Sequence, residues 1–258
     1  SWSNDENTLW EVVLDTAGFD TTTAVPVVIS DTSYLWENLT SNTNYEWYVR
    51  SGCGNGNLSV WIGPVSFSTD TLIRKPPYLT YQGVNTAMQL NWQLFDSSAS
   101  TVEWGTDQNY GSSTQTTEFG DDHQHKHLFT GLVNGTRYFY RVTAGGETYS
   151  GNFKAAPGTS ETNTSFFVYG DHRTFPERHD SVVKKLMEYV DADLQDQTIV
   201  LSTGDLVSDG DQESDWDDEL FATGYDNIRD LLSRMPFQSA MGNHDEDGSL
   251  FAKYLPYP

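Results

Sequence analysis

A short apolar run that ends at a glycine, followed by an acidic or amide residue, recurs three times after residue 158. Apolar side chains at helical spacing, such as Val183, Leu186 and Met187, lie between the first two runs. Strand, turn and helix in alternation predict an α/β layer with parallel strands. The three runs and their turns are 165–169 with Gly170-Asp171, 198–201 with Gly204-Asp205, and 237–241 with Gly242-Asn243.

The polar residues of these turns are candidates for a metal site. Because the carboxyl ends of parallel strands meet at one edge of a sheet, we expect Asp171, Asp205 and Asn243 to converge. Asp oxygens are hard anionic ligands and an Asn carbonyl is a neutral one, while the imidazole of His244 suits Zn, Mn or Fe. Ordinary turn chemistry is the alternative, since Gly, Asp and Asn are common in turns. Three such turns in succession favour the site.

The chain before residue 158 is typical of β-sandwiches. Short alternating or aromatic runs are separated by clusters of Gly, Asn, Ser, Thr and Asp. Segments 39–45 and 132–138 share Leu, Thr and Tyr at the same offsets, and each Tyr enters a strand as in a tyrosine corner. Residues 74–77, Arg-Lys-Pro-Pro, are predicted to be a stiff linker. The predicted domains are 1–72, 73–157 and 158–258.

Charge and composition exclude several classes of protein. With 14 Lys and Arg against 37 Asp and Glu, the net charge is −23, which repels nucleic acid and favours metal cations as partners. No apolar run approaches the roughly 20 residues of a membrane span. The single cysteine, Cys53, cannot form an internal disulfide and is predicted to be a small buried residue.

The three turn motifs resemble the conserved blocks of the calcineurin-like metallophosphoesterase superfamily. The purple acid phosphatase branch is the most similar, because its catalytic domain follows a fibronectin-like sandwich whose strands look like residues 75–156. Residues 1–70 look like a further fibronectin type III module. The resemblance implies a multidomain fold: two fibronectin type III-like β-sandwich modules, then the N-terminal part of an α/β metallophosphoesterase domain. The blocks are 170–173, 204–210 and 242–245.

That resemblance implies a metal-dependent hydrolase of phosphate esters, an acid phosphatase-like phosphomonoesterase with two divalent or trivalent ions, Fe, Zn or Mn. It assigns Asp171 to one ion, Asp205 to both and Asn243 to the second. His244 would protonate or steady the leaving oxygen, and Asp245 would orient His244. Phosphomonoester and phosphodiester substrates both stay open.

Three departures from the superfamily pattern change these expectations. Arg173 stands where a metal-binding His is common, and we expect its guanidinium to bind substrate phosphate. Ser208 stands where purple acid phosphatases have a metal-binding Tyr, so an iron–tyrosinate colour is not expected. Later blocks of the superfamily would lie beyond Pro258, which indicates a C-terminal truncation, and the chain alone is expected to be inactive.

A second class of function is an extracellular adhesion or matrix protein with a degenerate phosphoesterase domain. Metal content and Asp205-dependent turnover would separate it from an enzyme. Either reading predicts a protein that is secreted or held at the cell surface, with matrix or surface association through the β modules.

Other polar residues have plainer explanations. The alternating histidines of 123–127 share one face of a strand and are expected to be exposed rather than to hold a metal. The acidic stretch 209–219 is expected to be a solvated face rather than a Ca²⁺ loop, since it lacks the EF-hand glycine and final Glu. His179 is expected at the surface or as a cap, and the role of His172 stays open.

Overall fold

A computed structural model describes the chain over residues 9–52 and 57–256. The chain divides into two compact units, which we call unit 1 (residues 1–71) and unit 2 (residues 72–258). Cys53, with the prediction made for it, lies outside the described residues. Within the two described ranges, no helix has the length and apolar character to cross a membrane.

Unit 1 contains a four-stranded antiparallel sheet with the strand order β2-β1-β3-β4. Trp10, Val12 and Val49 form its buried core, and partly buried side chains including Trp36 and Trp47 pack against them. The strands are β1 Trp10–Thr16, β2 Val27–Ile29, β3 Asn44–Ser51 and β4 Ile62–Ser68.

Unit 2 begins with two antiparallel sheets, β5-β6-β9 and β11-β10-β7-β8. Trp92, Val102, Phe129 and Tyr140 are among the buried side chains that both sheets contribute to one core. Alternating inward residues on β10 produce this burial, as the period of a half-buried strand requires. The strands are β5 Ile73–Thr80, β6 Met88–Leu94, β7 Ser100–Gly105, β8 Ser112–Thr116, β9 Gln124–Phe129, β10 Arg137–Ala144 and β11 Glu147–Lys154.

Both predicted tyrosine corners are present. The Tyr45 hydroxyl accepts a hydrogen bond from the Thr40 amide at 3.0 Å, and the Tyr138 hydroxyl accepts one from the Val133 amide at 3.1 Å. In each case the bond spans five residues and ties the loop to the strand that follows it. The repeated Leu, Thr and Tyr offsets therefore record the same local structure in both units.

The prediction of a linker at residues 74–77 is wrong, because these residues belong to strand β5. Pairing with β6 shifts register between Ile73 and Lys75, and again between Lys75 and Tyr78. Proline has no amide hydrogen to donate to a ladder, and Pro76 and Pro77 lie within the second register shift. Proline here interrupts the pairing without ending the strand.

The last part of unit 2 is an α/β layer with the parallel strand order β12-β13-β14. Phe167, Val200 and Phe237 are aligned across the three strands, and so are the residues at the strand ends. The strands are β12 Phe167–Tyr169, β13 Val200–Ser202 and β14 Phe237–Ser239, and the helices are α1 Pro176–Ala192, α2 Glu213–Asp215 running into a π-turn at Trp216–Leu220, α3 Asp226–Arg234 and α4 Ser249–Tyr254.

Helices cover one face of this sheet. Val183 on α1 and Ile228 on α3 are buried in the same core as Phe237. On the opposite face, Val168 and Leu201 are 55% and 37% exposed. The continuous apolar run 165–169 is typical of a strand buried on both faces, but the described residues leave one face exposed. The apolar run correctly predicts a strand, but the pattern alone does not show how many faces of the sheet are covered.

A cluster of charged side chains joins the sandwich to the α/β layer. Lys75 is fully buried, and its Nζ donates hydrogen bonds to Gln93, Glu213 and Asp217. Arg74 pairs with Asp217 at 2.8 Å. Burial lowers the pKa of the Lys75 ammonium, and the two carboxylates oppose that shift. We call Arg74, Lys75, Glu213 and Asp217 the charge cluster.

The charge cluster corrects one expectation. Part of the acidic stretch 209–219 contacts the sandwich through Glu213 and Asp217, so it is not simply a solvated face. The segments 73–157 and 158–258 both fall within unit 2, and their division into two domains stays a prediction. The division of the chain after Thr71 falls one residue before the predicted end of the first domain at residue 72.

We expect Lys75→Ala to lower the free energy of unfolding of unit 2 by about 2–5 kcal/mol, because it empties a fully buried position and leaves Arg74 as the cation shared by Glu213 and Asp217. Urea unfolding followed by tryptophan fluorescence measures this. Lys185→Ala is the matched control, since Lys185 is 74% exposed and its ion pair among the described residues is with Glu188 in the next turn of α1. Equal effects of the two substitutions would contradict the prediction.

Candidate active site

The first two turns place an aspartate directly beyond the strand end in a left-handed backbone conformation. Asp171 has φ 53° and Asp205 has φ 54°, which are uncommon values outside glycine. A residue held there costs on the order of 1–3 kcal/mol and persists where surrounding contacts fix it. The Asp171 amide donates to the Gly204 carbonyl at 2.9 Å, so the two turns are joined.

The second and third turns touch at their glycines. A Cβ at Gly242 would lie 2.1 Å from Asp205 Oδ1, and one at Gly204 would lie 2.4 Å from the Gly242 amide nitrogen. Gly204 also has φ +101°. These positions therefore require glycine, because a side chain at either one would collide with the neighbouring turn. This close approach explains the glycine in the Gly-Asp and Gly-Asn pattern.

The Asp245 side chain is hydrogen-bonded to both of these turns. Its carboxylate is fully buried and accepts hydrogen bonds from the amides of Gly242 at 2.6 Å, Asp205 at 3.2 Å and Leu206 at 3.4 Å. Amide hydrogens are the partners that a buried carboxylate needs. Asp245 therefore fixes the backbone of the site.

The expectation that Asp245 orients the His244 ring is wrong. The Nδ1 atom of His244 lies 2.8 Å from the Ser208 carbonyl oxygen. A carbonyl only accepts, so Nδ1 carries the hydrogen and Nε2 is the nitrogen that can exchange a proton with a ligand. The His244 amide in turn donates to Asp205 Oδ1 at 3.0 Å. His244 is thus held against the second turn at both backbone and ring.

Arg173 lies beside both predicted metal-binding carboxylates. Its Nε is 3.4 Å from Asp171 Oδ1 and 3.7 Å from Asp205 Oδ2. The Asp171 side chain is 74% exposed, while that of Asp205 is 17% exposed. The structure therefore brings the first two turns together around a guanidinium group.

Asn243 is exposed between Gly242 and His244, whose amides bind Asp245 and Asp205. Its side-chain amide has no hydrogen bond to the described residues and is available to a ligand. The predicted set of Asp171, Asp205 and Asn243 thus shares one edge of the sheet, on three turns that hydrogen bonds join.

A further acidic residue that the sequence pattern does not single out fixes two of these turns. Glu219 Oε2 accepts from the Thr174 amide at 2.7 Å and from the Ser208 amide at 3.0 Å. The Thr174 and Ser208 hydroxyl oxygens are 2.7 Å apart. Glu219 belongs to the acidic stretch 209–219, and no local spacing distinguishes it from its neighbours.

His172 and His179 form a stacked pair beneath the first turn. Their ring centroids are 3.9 Å apart at an interplanar angle of 17°, and His179 Nε2 lies 3.0 Å from the Tyr169 hydroxyl. His179 is 3% exposed, so the expectation of a surface or capping residue is wrong. Burial lowers the pKa of His172 to about 4 and that of His179 well below its ordinary value.

The histidines of 123–127 are also less exposed than expected. His125 is 1% exposed and stacks on Trp92 at 5.3 Å between centroids, and His127 packs against Trp104 at 4.6 Å. Both imidazoles are therefore aromatic packing partners within the sandwich. Burial lowers the pKa of each ring.

The three turns supply donors that suit a hard cation, since Asp205 offers a carboxylate and Asn243 an amide oxygen. The Arg173 guanidinium already places positive charge against Asp171 and Asp205. Over residues 9–52 and 57–256, no group of three or more His, Cys, Asp or Glu side chains is arranged to hold a metal ion.

Comparison with known proteins gives two family matches, each to part of the chain. Residues 75–179 match the profile of the purple acid phosphatase N-terminal domain, and residues 164–258 match that of calcineurin-like phosphoesterases. These matches confirm the resemblance and the fold class predicted from the sequence. A search of curated proteins gave no significant match.

Two solved structures are similar to the chain. Purple acid phosphatase PPD1 from yellow lupin seeds is 16% identical with a TM-score of 0.52, over 95% of this chain and 53% of the lupin chain. A structure of PhoD is 14% identical with a TM-score of 0.48, over 66% of this chain and 38% of PhoD. The lupin likeness concerns the fold, and the chain spans about half of that protein's length.

We expect Asp245→Asn to lower the free energy of unfolding of unit 2 by about 1–3 kcal/mol, because an amide nitrogen would then face backbone donors that need an acceptor. Hydrogen exchange at the amides of Gly242, Asp205 and Leu206 should become faster for the same reason. Glu246→Gln, at the exposed neighbouring position, is the control. Unchanged exchange in Asp245→Asn would disprove this role.

A loss of stability on acidification should follow from the stacked histidines. Because the folded protein holds the His172 pKa near 4 while the unfolded chain has about 6.5, the unfolded chain binds more protons between these values. The contribution of His172 to the free energy of unfolding is complete above pH 6.5 and falls as pH approaches 4. At pH 5 it is lower by about 2 kcal/mol. Thermal unfolding of the wild type and His172→Phe at pH 7 and pH 5 measures it. The variant should lose less, and identical losses would contradict the assignment.

Proposed function

We propose that this chain, whose residues 164–258 match the profile of calcineurin-like phosphoesterases, is part of a metal-dependent hydrolase of phosphate esters. The observation that carries the proposal is the convergence of Asp171, Asp205 and the Asn243-His244 turn at one sheet edge. Direct bonds connect them, from the Asp171 amide to the second turn and from the His244 amide to Asp205.

The oxygens of Asp205 and Asn243 would hold the cation, with Asp171 beside them. A bound Fe, Zn or Mn ion supplies Lewis-acid stabilisation of charge on the phosphoryl oxygens. Arg173 would present its guanidinium to the same phosphate, since its terminal nitrogens donate no hydrogen bond to the described residues. A charged fork suits phosphate oxygens in geometry as well as charge.

His244 is the proton donor of the proposed reaction. Hydrolysis adds water to phosphorus and breaks the bond from phosphorus to the ester oxygen, which leaves with one proton. With Nδ1 committed to the Ser208 carbonyl, Nε2 of His244 would give that proton from the doubly protonated ring, and a proton released by the attacking water would restore it. The Asp205 carboxylate, which accepts from the His244 amide, keeps the ring's backbone in place during the step.

We propose a phosphomonoester substrate and an extracellular location. The monoester proposal follows the likeness of residues 75–179 to the purple acid phosphatase N-terminal domain, and the location follows the arrangement of β modules before the catalytic domain. A non-catalytic adhesion or matrix protein is the second candidate. The ion pairs of Arg173 with Asp171 and Asp205 favour it, because they engage carboxylates that a metal would need.

We expect His244→Gln to lower kcat by about 10²–10⁴-fold without reducing bound metal, because it removes the proton donor. Asp205→Asn should lose both turnover and metal. The assay follows Mn²⁺-dependent hydrolysis of p-nitrophenyl phosphate, with bis(p-nitrophenyl) phosphate to separate monoester from diester cleavage. It is run on longer proteins that contain the chain, because the 258-residue chain alone is expected to be inactive.

His123→Gln is the control, since His123 lies in the sandwich and pairs with Glu118. Turnover that survives Asp205→Asn unchanged would remove the proposed site. Absence of both Mn²⁺ binding and Asp205-dependent turnover would favour the non-catalytic candidate.

A further inference from the structure

We propose that Arg173 takes the place of one of the two cations, so that the site holds a single metal ion on the side of Asp205 and Asn243. The inference rests on the proposed function, which requires at least one bound ion. It replaces the expectation of a dinuclear centre with a mixed site of one metal ion and one guanidinium that together receive a phosphate ester.

The position of the guanidinium carries this inference. Arg173 Nε lies 3.4 Å from Asp171 Oδ1 and 3.7 Å from Asp205 Oδ2, between the two carboxylates that a bridging arrangement of ions would use. A second cation at Asp171 would have to share this space with a permanent positive charge. At about 4 Å, like charges repel by several kcal/mol in the effective dielectric of a protein surface.

The backbone that carries Arg173 is fixed on both sides. The Asp171 amide binds the second turn, and the Thr174 amide binds Glu219 at 2.7 Å. The Phe175 amide donates to the Arg173 carbonyl at 2.9 Å, closing a tight turn. The Arg173 side chain is 33% exposed, so it is also partly enclosed. Its place beside the carboxylates thus follows from an ordered loop.

Two side chains near Asp171 contact other groups, although the buried Nε2 of one of them, His172, has no hydrogen-bond partner among the described residues. The Ser208 hydroxyl is 2.7 Å from that of Thr174. The His172 ring stacks on His179 at 3.9 Å, in the packed layer beneath the turn. Among the described residues, Asp171 therefore has Arg173 as its charged partner, while the exposed Asn243 side chain makes no hydrogen bond.

This arrangement has a chemical consequence for the substrate. A guanidinium cannot be removed by a chelator and keeps its charge at every working pH. The positive charge beside Asp171 would therefore be permanent, and only the ion at Asp205 and Asn243 would be exchangeable. Arg173 would bind two phosphate oxygens as a fork where an ion would bind one or bridge two.

Metal stoichiometry tests the inference on the 258-residue chain. Mn²⁺ is measured by equilibrium dialysis, and only ions lost in Asp205→Asn are counted, which removes weak binding to the acidic surface. We expect one ion in the wild type and one in Arg173→Lys. Arg173→Gln should bind two, because the change removes the positive charge and adds a carbonyl oxygen. Electron paramagnetic resonance should then show an exchange-coupled Mn²⁺ pair in Arg173→Gln alone.

Arg178→Gln is the matched control, since Arg178 stacks on Phe175 with its guanidinium carbon 4.2 Å from the ring centroid and pairs with neither carboxylate. It should bind one ion. Two ions in the wild type would overturn the inference and leave the proposed function standing. One ion in a folded Arg173→Gln would also overturn it. No Asp205-dependent ion in any variant would overturn both proposals, and the wild-type count decides even where Arg173→Gln fails to fold.

Discussion

The buried carboxylate of Asp245 is the interaction on which the candidate site depends. It accepts from amides in both the second and the third turn, and it lies where no solvent can replace those donors. Left-handed Asp205 and the close approach of Gly204 to Gly242 are tolerated because this carboxylate fixes the backbone around them. The position of His244 follows, since its amide and ring are both bound to the second turn.

A second set of charges links the sandwich to that edge. Within the charge cluster, Lys75 donates hydrogen bonds to Glu213 and Asp217. The same helical segment contains Glu219, which accepts hydrogen bonds from the amides of Thr174 and Ser208. Within unit 2, the sandwich therefore contacts the segment that fixes two site turns. This gives the β module before the catalytic domain a physical role in ordering the site, through contacts that are charged and partly or fully buried.

The sequence predicts the elements here better than it predicts their surroundings. Parallel strands, the three turns and both tyrosine corners depend on periodicity and local turn chemistry, which neighbouring residues determine. Burial of Lys75, His125 and His179 depends on contacts with distant segments, which is why the predictions of a linker at residues 74–77 and of exposed histidines are wrong. The same limit applies to Glu219, whose two amide partners lie 45 and 11 residues away. The departure of Arg173 from the family pattern is visible in the sequence, but its contacts with the two carboxylates are visible only in the structure.

Anomalous diffraction from crystals of the chain soaked in Mn²⁺ tests the central claim most directly, because it locates the ion relative to the three turns. We predict one anomalous peak within bonding distance of Asp205 and Asn243, with Arg173 still beside Asp171. Two peaks flanking Asp205 with Arg173 displaced, or no peak at the edge of the sheet, would contradict it.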